Sequence, residues 1–417
     1  DGKNQRAIRP KLKTNLLLHN KNRMSVDPKA LKLAIVGCGQ IVTHHLEAIV
    51  NVGPTAYDLQ ALVDPSTERR TVIRDLYVSL KDESSAKGIT EFNALDDLLA
   101  HEAVAVDVIF IAVPHDLHEK LALHALQQAP HAIIVMEKPL APTRESCDRL
   151  VKASLEYGSR LVIAEQSPYW QEVALARQLI QQGAIGQVVT AHSYYYESMR
   201  DNITSGSLEQ DGVGLGWRGS LTRAGGGIAM DGGLHWIRPL REMCGRIEEV
   251  VGVIRKNLAP ELRMEEALES LGHALFKMAP TKLGPLQQPE GGGPLIATFS
   301  CNMLSTAPMA HDKCPYFRIT GNKGELVIHG DGLFKEKPGA GGLCLYDDEN
   351  PTGKELFDAN RKGGFFLGFA GLWTEITRIC VQKDKSAAHE TVCRAADDVR
   401  VVLALYKSSN SGEWEMT

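Results

Sequence analysis

Short apolar runs separated by amphipathic stretches are the leading pattern in the chain after residue 30. The runs cover 31–36, 58–63, 106–113, 131–136 and 160–164. Stretches with helical periodicity lie between them, through about residue 50 and at 68–76, 95–100, 117–128 and 144–157. Runs this short that are apolar on both faces are typical of buried parallel strands. The alternation therefore predicts right-handed βαβ units that form a doubly wound parallel α/β sheet.

The pattern changes after about residue 165. One more helix is expected at 172–182, and the segments after it are richer in strands and separated by loops with Gly and Pro. The expected strands are 187–196, 248–254, 294–303, 317–320 and 326–328, followed by a helical region at about 368–406. Strands with few helices between them predict a largely antiparallel α+β domain. The chain is therefore expected to hold two domains, 31–165 and 166–417.

Residues 1–30 form a basic head with eight Lys or Arg and two Asp. The head lacks a signal-peptide pattern, because its longest apolar run covers only 16–18. Two interpretations are open: a basic targeting segment, or an expression-derived or upstream-translated extension whose native start is Met24. The chain begins with Asp1 rather than Met, which favours the extension. The head is left out of the fold prediction.

Composition and charge describe a soluble globular protein. The chain has 417 residues, of which 43% are hydrophobic and 23% charged, with a formal net charge of −5. This balance predicts neither nucleic acid nor an anionic membrane as a partner, and no apolar run approaches the roughly 18–20 residues that cross a bilayer. The eight cysteines form no C-x-x-C pair and no zinc-finger spacing. We expect reduced thiols, no metal and a cytoplasmic location.

A glycine turn follows the first apolar run, and residues 37–42 read Gly-Cys-Gly-Gln-Ile-Val. The first glycine permits a tight turn, and the second lets the backbone approach a pyrophosphate at the N-terminus of the next helix. Asp64 ends the second run, where a carboxylate can bind both ribose hydroxyls of NAD. Arg69 and Arg70 follow closely enough to leave NADP open. The context predicts a dinucleotide site.

Two further segments carry candidate catalytic groups. Lys138 follows the run 131–136, at the edge where open parallel sheets bind ligands, and can donate to a substrate oxygen. Asp231 and His235 are four residues apart and share one face if their segment is helical. The carboxylate would then orient the imidazole as a base for a hydroxyl proton. Three glycines at 225–227 would allow the backbone to approach a ligand closely.

These segments together resemble the glucose–fructose oxidoreductase/inositol dehydrogenase (Gfo/Idh/MocA) family. The resemblance spans about residues 31 to 414 and rests on the order and spacing of its pieces. The pieces are Gly37-Cys38-Gly39 with His45, Pro114 with Leu117-His118, Glu137-Lys138-Pro139, the segment 225–235, Ile319-Thr320-Gly321-Asn322-Lys323-Gly324 and Ser408-Ser409-Asn410-Ser411-Gly412.

The resemblance implies a Rossmann domain for NAD or NADP, and a second domain whose large open sheet holds substrate and pairs subunits in a homodimer or homotetramer. It places Lys138, Asp231 and His235 in the family's catalytic positions. The implied reaction is hydride transfer between the nicotinamide and a hydroxyl-bearing carbon of a sugar, inositol or cyclic diol, the small-molecule substrate. The expected cofactor-binding residues are Gly37, Cys38, Gly39, Gln40, Ile41, Asp64, Arg69, Ala112, Pro114, His118, Glu137 and Lys138.

The sequence departs from the family pattern in two places. Val42 replaces the small residue that is common in the phosphate turn, and residues 165–170 read Glu-Gln-Ser-Pro-Tyr-Trp where sugar-handling members often carry Asn or His with a nearby Arg. The second departure leaves the substrate open. Aromatic and polar side chains are candidate walls of its pocket. The expected substrate-binding residues are Lys138, Gln166, Tyr169, Trp170, Trp217, Arg218, Asp231 and His235.

In the oxidation direction, we expect His235, held by Asp231, to accept the hydroxyl proton while Lys138 stabilises the oxygen. Which of the two is the immediate proton partner stays open. Alternative activities are reduction of a non-sugar carbonyl or imine, oxidation of a dihydrodiol, and transient oxidation that enables elimination or glycoside cleavage. An alternative of another class is a regulator that senses a dinucleotide without chemistry, which the presence of all three catalytic groups disfavours.

Overall fold

The first sheet has six parallel strands in the order β3-β2-β1-β4-β5-β6. Its strands are β1 (Leu31–Val36), β2 (Tyr57–Val63), β3 (Thr90–Phe92), β4 (Val108–Ile111), β5 (Ile133–Glu137) and β6 (Leu161–Ala164). The computed structural model describes residues 30–53, 56–82, 88–198, 215–258, 260–262, 264–280, 284–288, 291–305, 315–333, 342–357 and 363–417. Residues 1–29 of the basic head therefore lie outside the described residues. The predicted doubly wound parallel sheet is confirmed.

Both faces of this sheet are covered, so its strands are apolar on both sides. In β1, Leu33 and Ile35 pack into one layer, and Ala34 and Val36 pack into the other. The helices of this part are α1 (Ile41–Val52), α2 (Thr67–Leu80), α3 (Leu95–Leu99), α4 (His118–Gln128) and α5 (Arg144–Glu156). All strands point the same way, so their carboxyl ends form one edge, where ligands bind in folds of this kind.

The second sheet has nine strands in the order β14-β13-β12-β11-β7-β10-β9-β8-β15. Neighbouring strands are antiparallel except for β7 and β10, which are parallel. The strands are β7 (Val188–Tyr196), β8 (Ile247–Lys256), β9 (Glu269–Met278), β10 (Ile296–Asn302), β11 (Pro315–Gly321), β12 (Gly324–His329), β13 (Leu343–Asp347), β14 (Asn350–Glu355) and β15 (Glu415–Met416). The predicted mainly antiparallel sheet is confirmed.

Helices cover one face of the second sheet and join it to the first. They are α6 (Gln171–Gln181), α7 (Leu221–Ala224), α8 (Ile228–Asp231), α9 (Leu234–Cys244), α10 (Gly330–Leu333), α11 (Gly364–Gln382) and α12 (Lys385–Ser411). Along β7, Ala191, Ser193 and Tyr195 are buried under this layer. The opposite face of the sheet leaves Val253 and Leu275 exposed, so the two faces differ sharply in cover.

The predicted last helical region consists of two helices. The chain turns between α11 and α12 at Lys383, whose φ of 51° is left-handed. In α11, Phe369 and Trp373 pack on the first sheet with Phe110 of β4. By length and a mean hydropathy of 1.2, α11 is apolar enough to cross a membrane, a property that the sequence prediction did not anticipate. Its buried side chains serve here to cover the first sheet, and α12 contacts β6 and β8, one strand of each sheet.

Four regions of strand were missing from the sequence prediction: β3, β9, the pair β13–β14 and the two-residue β15. Strand β3 has only three residues, too few for a periodic signal. Strand β9 buries alternate side chains, but Gly272, His273 and Lys277 interrupt its apolar character. The exposed side chains of β14 leave no apolar run. In each case the strand forms because it pairs with a neighbouring strand, and the local sequence pattern does not predict it.

Candidate active site

A cleft of about 1110 Å³ lies over the carboxyl ends of the strands of the first sheet and is bounded by residues from both parts of the chain. Of the expected cofactor-binding residues, those that line it are Gly37, Gly39, Gln40, Ile41, Asp64, Arg69, Ala112, Pro114, Glu137 and Lys138. Of the expected substrate-binding residues, those that line it are Lys138, Gln166, Trp217, Arg218, Asp231 and His235. The structure brings these residues together, and their binding roles stay predictions.

The glycine turn presents its backbone to the cleft. Gly37 has a φ of 90°, and a Cβ there would overlap the carbonyl oxygen of Ala112. A Cβ on Gly39 would meet no atom within 4 Å, because that position faces open space. Helix α1 begins directly after the turn without a side-chain cap. Its first N–H groups therefore suit an anion such as a pyrophosphate.

Val42, the unusual residue of the turn, is fully buried between α1 and the first sheet. It packs in the same layer as Leu33, Ile35 and Leu46. The larger side chain is therefore absorbed in the helix–sheet contact and does not enter the cleft.

Asp64 is fixed by two backbone donors. Its Oδ2 accepts a hydrogen bond from Cys38 N at 2.9 Å, and its Oδ1 accepts one from Ser66 N at 2.8 Å. The carboxylate is thus tied to the glycine turn while lining the cleft. Arg70 is buried and donates to the Asp64 carbonyl and to Glu91. Arg70 therefore has a structural role, and Arg69 is the member of this pair that lines the cleft.

Glu137 lines the cleft beside Lys138 and is held from behind by His45. Trp373 Nε1 donates to His45 Nδ1 at 2.9 Å, so His45 Nε2 carries the hydrogen that it shares with Glu137 Oε1 at 2.5 Å. The other oxygen, Oε2, accepts from Lys138 N at 3.1 Å. A side chain of α11 therefore helps to position the loop that carries Lys138.

Lys138 and Asp231 form the central ion pair of the cleft. Lys138 Nζ donates to the carbonyl oxygen of Asp231 at 2.8 Å and to its Oδ1 at 3.3 Å. Arg218 Nε donates to Asp231 Oδ2 at 2.8 Å. Burial alone raises the pKa of Asp231, but the charges of Lys138 and Arg218 outweigh it and hold that pKa well below its usual range. Asp231 is therefore an anion that fixes two cations.

The expected contact between Asp231 and His235 is wrong. The prediction required one continuous helix, but α8 ends at Asp231 and α9 begins at Leu234. Gly232 and Gly233 separate the two helices, so the four-residue spacing does not stack the side chains. His235 Nδ1 instead lies 2.8 Å from Oε1 of Glu165.

Glu165 follows β6 directly and was recorded in the sequence only as a departure from the family pattern. Its side chain is 3% exposed, and its Oε1 also accepts from Ser167 N at 2.8 Å. Burial alone raises the pKa of Glu165, but His235, Arg238 and Ser167 lower it to about 2. The available signal was its place at a strand's carboxyl end, the same signal that identified Lys138.

The three glycines at 225–227 approach protein groups and not open space. A Cβ on Gly225 would overlap Pro142, and one on Gly226 would overlap the Tyr406 hydroxyl. A Cβ on Gly227 would overlap the carbonyl oxygen of Glu269. The expectation that these glycines admit a ligand is therefore wrong. They let α8 pack closely.

The Glu269 carboxylate holds the first turn of α8. Its Oε2 accepts from Gly227 N at 2.7 Å, and its Oε1 accepts from Ala229 N at 2.9 Å and from Tyr406 at 2.7 Å. Burial raises the pKa of Glu269. Together with the glycine contacts, this buried carboxyl fixes the helix that ends at Asp231.

His115 is a cleft residue that the sequence prediction missed. Its Nδ1 donates to the Ala224 carbonyl at 2.9 Å, and its Nε2 lies 3.7 Å from Asp231 Oδ1. Its ring packs edge-on against Trp217, with 4.5 Å between ring centroids. Burial lowers the pKa of His115 well below its ordinary value, so the ring is neutral. The sequence indicated this turn through Pro114, but the resemblance selected His118 instead.

Four predicted residues are placed elsewhere by the structure. The His118 ring lies behind the cleft, with Nδ1 2.8 Å from the Pro139 carbonyl and Nε2 2.9 Å from the Val113 carbonyl. At the glycine turn Cys38 can offer only its backbone to a cofactor, because its side chain is buried in the core. Trp170 is fully buried against Trp236 and donates to Gln166. Tyr169 packs near Gly371 of α11.

Other cleft residues carried no sequence signal. His44 follows the glycine turn, Glu197 follows β7, and Phe365 and Phe369 come from α11. The ring of Phe369 stacks on that of His44, with 5.6 Å between centroids. The chain brings these side chains to the cleft only through tertiary packing. Within the described ranges, no group of three or more His, Cys, Asp or Glu side chains is arranged to hold a metal ion.

Comparison with known families identifies this architecture. Residues 31–165 match the model of the oxidoreductase family with an NAD-binding Rossmann fold, and residues 173–327 match the GFO/IDH/MocA C-terminal domain. The chain belongs to the GFO/IDH/MocA oxidoreductase family. The resemblance stated from the sequence motifs is confirmed.

Curated relatives share about a quarter of the aligned residues. A 2,7-anhydro-N-acetylneuraminate hydratase of Escherichia coli is 28% identical over 40% of this chain and 41% of its own length. An inositol 2-dehydrogenase of Corynebacterium glutamicum is 27% identical over 44% and 51%. A levoglucosan dehydrogenase of Pseudarthrobacter phenanthrenivorans is 24% identical over 64% and 66%. The chain thus spans about two fifths to two thirds of the length of these relatives.

Solved structures share the fold over nearly the whole chain. A levoglucosan dehydrogenase in complex with NADH and levoglucosan has a TM-score of 0.68 and 17% identity, covering 93% of this chain and 99% of that chain. The WlbA dehydrogenase of Bordetella pertussis, in complex with NADH and UDP-GlcNAcA, has a TM-score of 0.65 and 19% identity with the same coverage. The predicted combination of a Rossmann sheet and an open sheet is confirmed.

Proposed function

We propose that this protein is an NAD-dependent dehydrogenase that exchanges hydride with a hydroxyl-bearing carbon of a sugar, inositol or cyclic diol. The observation that carries the proposal is the convergence of Lys138, Asp231 and His235 beside the glycine turn in one cleft. Lysine and histidine from distant parts of the chain can serve one substrate hydroxyl only when they share such a cleft. The relatives named as inositol and levoglucosan dehydrogenases support this substrate class.

The cleft residues fit a nicotinamide dinucleotide. Gly39 leaves open space where a pyrophosphate would approach the backbone, and the uncapped start of α1 supplies N–H donors. When bound, NAD would supply the carbon that accepts the hydride. Asp64 would bind the adenosine ribose, because its carboxylate lines the cleft at the end of β2 and repels a 2′-phosphate. Arg69 is the residue that would soften this preference for NAD over NADP.

Three side chains would act on the substrate. Lys138 donates a hydrogen bond to the reacting oxygen and stabilises negative charge on it as the proton leaves. His235 takes the proton, and Asp231 holds the Lys138 ammonium in place. In the reduction direction the same groups return the proton. Trp217, with the Arg218 guanidinium 4.4 Å from its ring centroid, offers an apolar wall to a sugar ring.

The test is a spectrophotometric screen with the purified protein. It follows formation of reduced nicotinamide from NAD or NADP with sugars, inositols and cyclic diols, and consumption of NADH or NADPH with carbonyl and imine compounds. We expect NAD reduction with at least one polyol and loss of that activity in His235→Asn. Activity on only carbonyl or imine compounds would replace the proposal with the reductase alternative. Binding of NAD without turnover of any compound, in either direction, would favour the dinucleotide sensor.

A second candidate is transient oxidation that enables elimination or glycoside cleavage. The relative named as a hydratase in Escherichia coli supports it, because that activity involves no net oxidation of substrate. In such an enzyme the cofactor returns to its starting state in each cycle. This candidate would be established instead by a substrate that is converted over many turnovers, only in the presence of NAD, without accumulation of NADH.

We also propose that the open face of the second sheet pairs two copies of the chain in a homodimer or homotetramer. Val189, Val253 and Leu275 are exposed on strands of this sheet, and exposed apolar sheet faces ordinarily need a partner. Light scattering of the wild type and of Val253→Asp would test the interface: the variant should be smaller. A cytoplasmic, reducing location is proposed because the seven cysteines in the described part of the chain are free.

A further inference from the structure

Two carboxylates are candidate partners of His235, and they are bound differently. Asp231 shares its oxygens with Lys138 and Arg218, at 3.3 Å and 2.8 Å. Glu165 Oε1 lies 2.8 Å from His235 Nδ1 and is almost fully buried. Glu165 comes from the first sheet, whereas His235 comes from α9 of the second part. Their contact therefore crosses the cleft between the two parts of the chain.

We propose that Glu165 is the positioning residue of His235: it keeps the hydrogen on Nδ1 and leaves Nε2 as the atom that takes the substrate proton. A carboxylate is only an acceptor, so a neutral imidazole that contacts it must carry its hydrogen on the contacting nitrogen. The other nitrogen then has a free lone pair. This inference rests on the proposed dehydrogenase function, and it assigns His235 as the immediate proton partner, with Lys138 as the donor that stabilises the oxygen.

The surroundings keep Glu165 ionised and stationary. Its Oε1 also accepts from Ser167 N, so the side chain is anchored to its own backbone turn. Arg238, three residues after His235 on α9, is the other charged group that lowers the pKa of Glu165. A carboxylate with these neighbours stays charged while His235 gains and loses its proton. The proton therefore remains on the imidazole and does not pass to Glu165.

Arg238 is bound by a carboxylate of the last helix. Arg238 Nε donates to Asp398 Oδ2 of α12 at 2.7 Å, and both side chains are buried. Among the described residues, none donates a hydrogen bond to Glu165 Oε2. Arg238 therefore acts on Glu165 through its charge, while its Nε donates to Asp398. The pair Asp398–Arg238 supports the geometry in which Glu165 binds only the imidazole and Ser167.

The test reads the tautomer of His235 directly. Protein with ¹⁵N-labelled histidine is studied by long-range ¹H–¹⁵N NMR, and His235→Asn identifies the signals of His235. In the wild type at a pH where the ring is neutral, we expect the hydrogen on Nδ1. Glu165→Gln should keep this tautomer, because the amide oxygen still accepts, whereas Glu165→Leu should shift the ring toward Nε2–H. Asp231→Asn is the matched carboxylate control and should leave the tautomer unchanged.

Kinetics supply a second readout, with the polyol that the screen identifies. Glu165→Leu should lower kcat by about 10²-fold and Glu165→Gln by roughly tenfold, with KM and the NAD dissociation constant unchanged. Thermal unfolding shows whether each variant is folded. If Glu165→Leu does not fold, the kcat of Glu165→Gln decides the role of Glu165. The inference would be overturned if Asp231→Asn changes the tautomer of His235 while Glu165→Leu leaves it unchanged, or if Glu165→Gln keeps full kcat. If no polyol is oxidised, the proposed function fails while the NMR result still decides the role of Glu165.

Discussion

The two ends of the cleft are built in different ways. At the cofactor end, the glycine turn and Asp64 lie within one βαβ unit, and their contacts involve mostly backbone, such as Cys38 N to Asp64. At the chemical end, Lys138 and Glu165 follow β5 and β6, and His235 lies on α9. Their contacts join side chains from separate segments. One end is encoded locally, and the other exists only after both parts of the chain have packed.

This difference determines which substitutions should affect cofactor binding and which should affect turnover. A change at the backbone-lined end should alter cofactor affinity while the proton-transfer groups keep their positions. A change at the side-chain end should alter turnover while the cofactor still binds. Four substitutions test the contrast, in decreasing order of expected effect.

Lys138→Ala should have the largest effect. Removing the donor to the reacting oxygen should lower kcat by about 10²- to 10⁴-fold, because the substrate oxygen loses its stabilising charge. The NAD dissociation constant, measured by titration calorimetry, should change little. Lys152→Ala is the control, because that lysine is exposed and pairs only at the surface with Glu156. Wild-type turnover in Lys138→Ala would contradict the division between the two ends.

Glu165→Gln should change the stability of the protein in acid. The pKa of Glu165 is about 2 in the folded protein, against about 4.3 for an unfolded glutamate, so the wild type is stabilised above pH ~4 and loses this contribution as the pH falls toward 2. The contribution is on the order of 3 kcal/mol. Denaturant unfolding from pH 5 to 2 (roughly the range of carboxylate titration) should show a shallower fall in the variant. Parallel curves for both proteins would mean that Glu165 is not held as an anion.

Gly39→Ala should weaken cofactor binding without destabilising the fold. The added methyl group would meet no protein atom within 4 Å, but it would occupy the space through which a pyrophosphate reaches the backbone. The NAD dissociation constant should rise by roughly tenfold or more, which is about 1.4 kcal/mol, at an unchanged melting temperature.

Gly37→Ala is the contrasting control for that experiment. Its φ of 90° and the overlap with the Ala112 carbonyl make it a folding defect of about 1–3 kcal/mol. Equal NAD affinity in the wild type and Gly39→Ala would show that the pyrophosphate does not bind at this turn.

Asp64→Ala should have the smallest effect, on selectivity. Loss of the carboxylate removes a ribose acceptor and a repulsive charge, so the preference for NAD over NADP should fall by roughly tenfold. Both affinities should weaken somewhat, because Cys38 N loses its partner. The ratio of the two dissociation constants is the quantity to measure. An unchanged ratio would show that another group, such as Arg69, controls the choice.

The same contrast explains what the sequence could predict. Five of the six strands of the first sheet and the turn at Gly37 and Gly39 follow from local pattern, and the structure has them close to where they were expected; only β3 of this sheet was missed. The pairing of Asp231 with His235 did not follow, because a break of two glycines between α8 and α9 changes which side chains meet.

Glu165 and His115 are site residues whose roles the sequence did not predict. Both sit at strand ends, where a reader of the sequence expects ligand groups, yet their partners lie on α9 and on the carbonyl of Ala224. Such contacts depend on tertiary packing and have no fixed spacing in the sequence. The assignment of Tyr169 and Trp170 to the pocket was misled for the same reason, since Tyr169 packs on α11 and Trp170 is buried against α9.

The return of α11 to the first sheet bears on attempts to excise the cofactor half. Phe369, Leu372 and Trp373 share a layer with Phe110 and Val135. A fragment that stops at residue 165 would carry every strand of the first sheet but would expose this layer to solvent. We therefore expect residues 31–165, the segment that matches the first family model, to fold poorly without α11. A minimal soluble version would need α11 appended to it, for instance as a circular permutant.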